Sequence, residues 1–191
     1  MDDDQALQAG PLVVRALRAD DDAAEITRLI HAAYARHLGS GLRFWGTHQS
    51  VDDTRKRLGS GQALVMTADA RIVGTVVARP PQPQSEVILY RDPHTWSIAQ
   101  LAVAPALRGQ VAGRRLHDAA VMAARTAGAR RIGLDTALPA TGLIELYRRW
   151  GYRIVGEVDW RPHTNYLSVV MARDVDALPD GESDPVAMPV A

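Results

Sequence analysis

The chain has 191 residues, enough for one domain, and its 47% hydrophobic and 23% charged content is that of an ordinary globular protein with a sizeable core. A formal net charge of zero removes the bulk electrostatic case for nucleic acid or an anionic membrane as partner, and neither is expected. The absence of cysteine excludes a disulfide framework, a thiolate metal site and a cysteine nucleophile.

Residues 1–10 are acidic and lack a basic segment followed by an apolar run, so they do not read as a secretory leader. No stretch approaches the roughly 18 consecutive apolar residues of a membrane span, and a soluble cytoplasmic protein is expected. Residues 1–10 and 176–191 carry no hydrophobic periodicity and are expected to be disordered, flanking one domain over 11–175.

Inside that domain, residues 12–17 read as a strand. Asp20, Asp21 and Asp22 then offer caps to a helix with Ile26, Leu29, Ile30, Ala33 and Tyr34 on one face. A loop over 38–50 carries Phe44, Trp45, His48 and Gln49, and a short polar helix over 51–58 ends at Gly59. Its cluster Arg55-Lys56-Arg57 reads as an exposed helix face. Residues 63–67 and 71–78 flank a turn and form a hairpin. A long loop with four prolines spans 79–95, followed by an apolar strand over 96–103 that stops at Pro105. The spacing of Leu116, Ala119, Ala120, Ala123 and Ala127 predicts a core-facing helix over 114–127, closed by Gly128. A strand at 131–136 precedes a helix at 141–150 with Leu143, Leu146, Tyr147 and Trp150 on one stripe, and strands at 152–159 and 165–172 complete the domain. This order predicts an α/β fold, a mixed sheet with helices packed on its faces.

Chemistry concentrates between Gln100 and Leu116. A buried strand runs into a Pro-containing turn and then a small-residue loop that opens a helix. The first helical turn has backbone N–H groups without partners and a partial positive charge, so it attracts phosphate. Gly109, Ala112 and Gly113 let the backbone approach an anion, while Arg108, Arg114 and Arg115 add full charge. Hydrogen bonds to a charged partner contribute about 1.5–3 kcal/mol each, so a few such amides would anchor a pyrophosphate. A P-loop would need Gly-Lys-Ser/Thr where Gly113 is followed by two arginines, and the G-x-G-x-x-G dinucleotide pattern is absent.

The run Arg108-Gly109-Gln110-Val111-Ala112-Gly113 resembles the acetyl-CoA motif Arg/Gln-x-x-Gly-x-Gly/Ala of the GNAT superfamily of N-acetyltransferases, with Val111 in place of the first glycine. Downstream, Leu146-Tyr147-Arg148-Arg149-Trp150-Gly151-Tyr152 resembles the superfamily's Leu-Tyr-x-x-x-Gly-Phe/Tyr. The resemblance implies a largely antiparallel twisted sheet of about seven strands that splays between the fourth and fifth. It implies that Leu101, Ala102 and Val103 meet the pantetheine arm of acetyl-CoA, and that Arg108, Gly109, Gln110, Val111, Ala112, Gly113 and Arg114 hold its pyrophosphate. It also implies direct attack by an amine on the thioester, with Tyr147 as the acid that protonates the leaving thiolate. No carboxylate stands on the fourth strand; Asp135, His48 or a water held by Gln100 are the candidate bases, and an amine arriving neutral from solvent would need none. Phe44, Trp45, His48, Gln49, Trp160, Thr164, Asn165 and Tyr166 are the expected acceptor-pocket walls. The expected acceptor is a small-molecule or peptide amine; a protein N-terminus or lysine, and a non-catalytic acyl-CoA-binding module, are the alternatives. A homodimer is the alternative to a monomer. None of the six histidines forms a His-Glu-x-x-His pattern, and His31 and His37 fall on different helix faces, so no metal is expected.

Overall fold

The computed structural model describes residues 11–109 and 111–176. Gln110 and the two ends expected to be disordered, apart from Asp176, lie outside the described residues. The elements run β1 (Val13–Ala16), α1 (Ala23–Gly39), α2 (Val51–Leu58), β2 (Gln62–Ala68), β3 (Arg71–Arg79), β4 (Thr95–Val103), α3 (Ala112–Thr126), β5 (Arg131–Ala137), α4 (Thr141–Arg149), β6 (Arg153–Asp159) and β7 (Leu167–Asp174). Local chemistry starts the first two helices. The Asp22 side chain accepts from the Ala24 amide, and Ser50 and Asp53 form a reciprocal capping box. Caps of this kind contribute about 1 kcal/mol each.

The seven strands make one sheet in the order β1-β2-β3-β4-β5-β7-β6. All neighbours are antiparallel except β4 and β5. Side chains alternate across it, as the two-residue strand period requires. Met66, Val76, Ile132 and Met171 pack with Leu116 and Ala120 of α3 on one face, whereas Val65, Val77 and Ala102 pack with Ile26 and Ile30 of α1 and Leu58 of α2 on the other.

β4 is irregular in two respects. Thr75 pairs with Ala102 but Val77 pairs with Ala99, so β4 carries an extra residue, a β-bulge. Gln100 sits there at φ +53°, a left-handed conformation that costs a non-glycine residue about 1–2 kcal/mol. The parallel pairing with β5 covers only Thr95, Trp96 and Ser97, opposite Arg131, Ile132 and Gly133. Beyond Ser97 the strands part, and β5 continues along β7 as far as Ala137.

The helix nearest the bulge departs from the reading by spacing. α3 begins at Ala112, not 114, and its buried seam is Ala112, Leu116, Ala120 and Ala124 with His117 and Val121. Ala127, expected in the core, is exposed at the C-cap. Alanines recur so often in this helix that spacing alone admits a seam rotated by one position; contact with β3 and β4 selects the actual one. On α4 the fully buried residue is Ile144, while Leu143, Leu146 and Tyr147 are half-buried, because that flank borders the gap between β4 and β5.

Gly61 lies against β3, and a Cβ there would meet the Ala78 carbonyl oxygen at 2.3 Å and Arg79 Cα at 2.8 Å. Relief requires moving the end of β3. Gly61→Ala is expected to destabilise the fold by about 1–3 kcal/mol, read as a lower urea midpoint. An unchanged midpoint would mean that this strand end yields freely.

Candidate active site

The parting of β4 from β5 opens a cavity of about 1090 Å³, walled by both strands, α1, the loop after it, α4 and the start of α3. At one end stands the motif segment. Val111 is the N-cap of α3 with φ −68° and ψ −3°, a helical conformation that valine adopts without strain. Val111 is 67% exposed at the cavity rim. The first hydrogen bond of the helix runs from the Arg115 amide to the Val111 carbonyl, and among the described residues the amides before it have no intrahelical partner. Gly109 turns the chain at φ +74°, a region that favours glycine. A Cβ on Gly113 would lie 3.9 Å from Val103 Cγ2, so the helix start rests close against the end of β4.

Leu101, Ala102, Val103, Arg108, Gly109, Val111, Gly113 and Arg114 all line the cavity, while Ala112 is fully buried behind that wall. Gln110 lies outside the described residues. The two arginines have structural partners as well. Arg108 donates to the Ala32 and Ala33 carbonyls at 3.1 and 3.0 Å, tying the loop to α1. Arg114 pairs with Asp118 at 2.8 Å and lies over the Trp150 ring at 5.5 Å. A buried relay extends this contact: His117 Nδ1 meets Asp118 at 2.8 Å, and His117 Nε2 meets the Tyr152 hydroxyl at 2.8 Å. Burial pushes the His117 pKa down, so the ring is neutral and bridges one donor and one acceptor. Trp150 and Tyr152, from the second motif, therefore brace the helix that presents the amides of the first.

Tyr147 lines the cavity from α4, held edge-on by Trp150 and Tyr152 at 5.6 and 6.0 Å between ring centroids. Its hydroxyl has no hydrogen-bond partner among the described residues, and burial pushes its pKa up, which keeps the proton in place at neutral pH. Across the gap the Tyr34 hydroxyl donates to the Leu101 carbonyl at 3.3 Å, marking where the free edge of β4 faces the cavity. His37 is also on this wall, tilted against Phe44 at 4.5 Å; burial, then the charges of Arg36 and Arg108, lower its pKa to about 4.

The other end of the cavity is polar. Asp135 of β5 is half-buried on the cavity wall, and its oxygens accept from the Tyr90 hydroxyl at 3.2 Å and Trp160 Nε1 at 2.9 Å. Burial raises its pKa, opposed by those two hydrogen bonds and by Arg57 and Arg79. On the bulge, Gln100 Oε1 accepts from Gln49 Nε2 at 2.8 Å, leaving Gln100 Nε2 buried without a partner. Gln49 also donates to Thr54 and accepts from Arg57 at 2.9 Å.

Of the expected acceptor walls, Phe44, Trp45, Gln49, Trp160, Thr164 and Tyr166 line the cavity. His48 is exposed outside it, and Asn165 instead ties the chain at Gly41 and Arg43 to the approach to β7. Sequence reasoning missed Arg57, Arg79 and Tyr90. The expected exposed face of α2 holds for Arg55 and Lys56 and is corrected for Arg57, which is half-buried on the cavity wall with its guanidinium over Trp45 at 4.9 Å. Thr54 and Leu58 face inward on α2, which leaves Arg57 on the flank beside the aromatic loop. The capping box fixes that helical phase and could have signalled it. Tyr90 arrives on a short 3-10 turn over Ile88–Arg91, inside what reads as a structureless loop. Among the described residues no group of His, Asp and Glu is placed to hold a metal.

A family model described as "Acetyltransferase (GNAT) family" matches residues 26–152. A comparison with curated protein sequences finds no significant match. Among solved structures, the ribosomal-protein-S18-alanine N-acetyltransferase from Escherichia coli is similar at TM-score 0.66 and 13% identity, over 91% of this chain and 100% of that one. An aminoglycoside 6'-N-acetyltransferase complexed with coenzyme A aligns at TM-score 0.62 and 16% identity, over 88% and 99% of the two chains. A GNAT family acetyltransferase from Elizabethkingia anophelis with acetyl-CoA bound aligns at TM-score 0.58 and 16% identity, over 85% and 97%. At these identities the structures speak for the fold, and their acceptors range from a ribosomal protein to an aminoglycoside. The family model spans both motifs and the strands β2 to β5, about two thirds of the chain, and on that match this chain belongs to the GNAT acetyltransferase family.

Proposed function

We propose that the chain transfers an acetyl group from acetyl-CoA to a primary amine of a small molecule, by direct attack within a ternary complex. One observation carries this reading: the open amides at the start of α3 and the unpaired edge of β4 lie on one continuous wall of one cavity. The residues present fit the cosubstrate. Val111 takes a helical backbone conformation without strain, Gly109 and Gly113 keep side chains off the helix start, and Arg108 and Arg114 supply positive charge for a pyrophosphate. Leu101, Ala102 and Val103 offer extended backbone to a pantetheine amide chain, which can hydrogen-bond to an unpaired strand edge as another strand would.

Acetyl-CoA supplies an activated acetyl thioester. Asp135 receives the proton that the acceptor ammonium must lose before its nitrogen can attack. Tyr147 donates its phenolic proton to the departing sulfur and regains one from the nitrogen as the new amide forms. Gln100 Nε2, a buried donor without a partner, is available to the carbonyl oxygen, whose negative charge grows in the transition state. A cavity walled from several elements suits a small acceptor better than a folded protein surface.

Two measurements test these roles. Tyr147→Phe is expected to lower kcat about a hundredfold while CoA affinity stays within about twofold of the original protein; an unchanged kcat would remove Tyr147 from the proton transfer. Burial disfavours ionised Asp135, so its carboxylate is lost on acidification at a higher pH than the ordinary value of about 3.9. The acidic limb of the kcat profile is therefore expected above that value and absent in Asp135→Asn. The same limb surviving in Asp135→Asn would assign the base elsewhere.

A further inference from the structure

The polar end of the cavity holds more positive charge than the fold compensates. Arg57 and Arg79 both line it, and neither forms a salt bridge among the described residues. Arg79 Nε is buried with no hydrogen-bond partner. The Arg57 guanidinium lies over the Trp45 ring and gives one hydrogen bond to Gln49 Oε1. Asp135 is the neighbouring carboxylate, a single negative charge for two guanidinium groups, with one lone pair on each oxygen engaged by Tyr90 and Trp160. The cavity as a whole is lined by seven arginine or lysine side chains against two carboxylates, Asp135 and Glu86. Partly buried positive charge in excess of its counter-charge is costly, so a site with this balance is completed by an anion.

The phosphates of the nucleotide are not that anion. Arg79 pairs in register with Ser97, while the helix start rests against Val103, six residues further along β4. At about 3.3 Å per residue the two positions are roughly 20 Å apart. Arg57 is linked through Gln49 to Gln100 at the bulge, midway along that span, and lies within electrostatic reach of Arg79 and Asp135.

Resting on the acyltransferase reading, we infer that the acceptor is an amine bearing a carboxylate, of the amino-acid type, with its carboxylate held by Arg57 and Arg79. The arrangement is complementary to a zwitterion. Two guanidinium forks suit the planar carboxylate, and Asp135 lies beside them for the ammonium group. Glu86 and Asp135 are too few to suit a polycationic acceptor in such surroundings.

The test compares acetyl-CoA turnover, read as free thiol, on the common amino acids and on the corresponding carboxamides, which keep the amine and lose the anion. At least one amino acid is expected to exceed its carboxamide in kcat/KM by about tenfold to a hundredfold. Arg79→Gln and, independently, Arg57→Gln are expected to bring that ratio toward one, mostly through KM, and Arg79→Lys to restore part of it. Calorimetric titration with CoA runs on every variant and certifies that each is folded with its cofactor end intact. Equal use of acid and amide, a ratio unmoved by either glutamine substitution, or CoA binding with no amino acid yielding thiol would each overturn the inference. Failure of CoA to bind the unsubstituted protein would overturn the acyltransferase reading instead.

Discussion

A β-strand inside a domain ordinarily has both edges hydrogen-bonded, because a buried backbone amide or carbonyl without a partner costs about as much as a lost hydrogen bond. β4 breaks that rule from Ile98 onward, where β5 leaves it to run along β7. The bulge at Gln100 lies in the same stretch and holds a non-glycine residue at positive φ. Strain of this kind persists only where the surroundings over-determine it. Here β3 on one side, Tyr34 through the Leu101 carbonyl, and Gln49 through the Gln100 side chain hold the strand in place. The open edge is thus a stable part of the fold, and an extended ligand chain is the natural partner for it.

The second constraint is the position of α3. A helix start attracts an anion wherever it is accessible, but it serves a bound thioester only if its amides stand at a fixed distance from the strand edge. Arg108 anchors the preceding loop to α1, and the Arg114–Asp118–His117–Tyr152 relay anchors the first turns to the segment after α4. The two motifs therefore stand together for a mechanical reason: residues of the second brace the helix that presents the first. Tyr147, between Trp150 and Tyr152 in the same aromatic group, is placed by that brace.

Legibility in the sequence tracked the range of the interactions. The strand, turn and helix around Arg108–Gly113 could be read locally, since small residues, an apolar run and the chemistry of a helix start are all short-range signals. That Val111 stands at a helical φ and is largely exposed could not be read from the motif itself. The seam of α3 could not be phased among so many alanines. The apolar stripe of α4 reads as core although one flank meets the cavity, because periodicity marks a face without saying what fills the space opposite. Arg79 and Tyr90 were invisible as site residues, coming from a strand end and a proline-rich loop, and for Arg57 the capping box set the helical phase without saying what lay beside it. Only the register of β3 with β4 and the packing of α2 beside the aromatic loop bring them to one wall.

The central claim is that one ligand spans the open edge of β4 and the start of α3. Backbone hydrogen exchange measured with and without acetyl-CoA tests it directly, residue by residue. Exchange is expected to slow together at Leu101, Ala102 and Val103 and at Val111, Ala112 and Gly113, while the β1–β2 edge of the sheet stays as it was. Saturable binding that leaves both segments unprotected, or protects only one, would contradict the account.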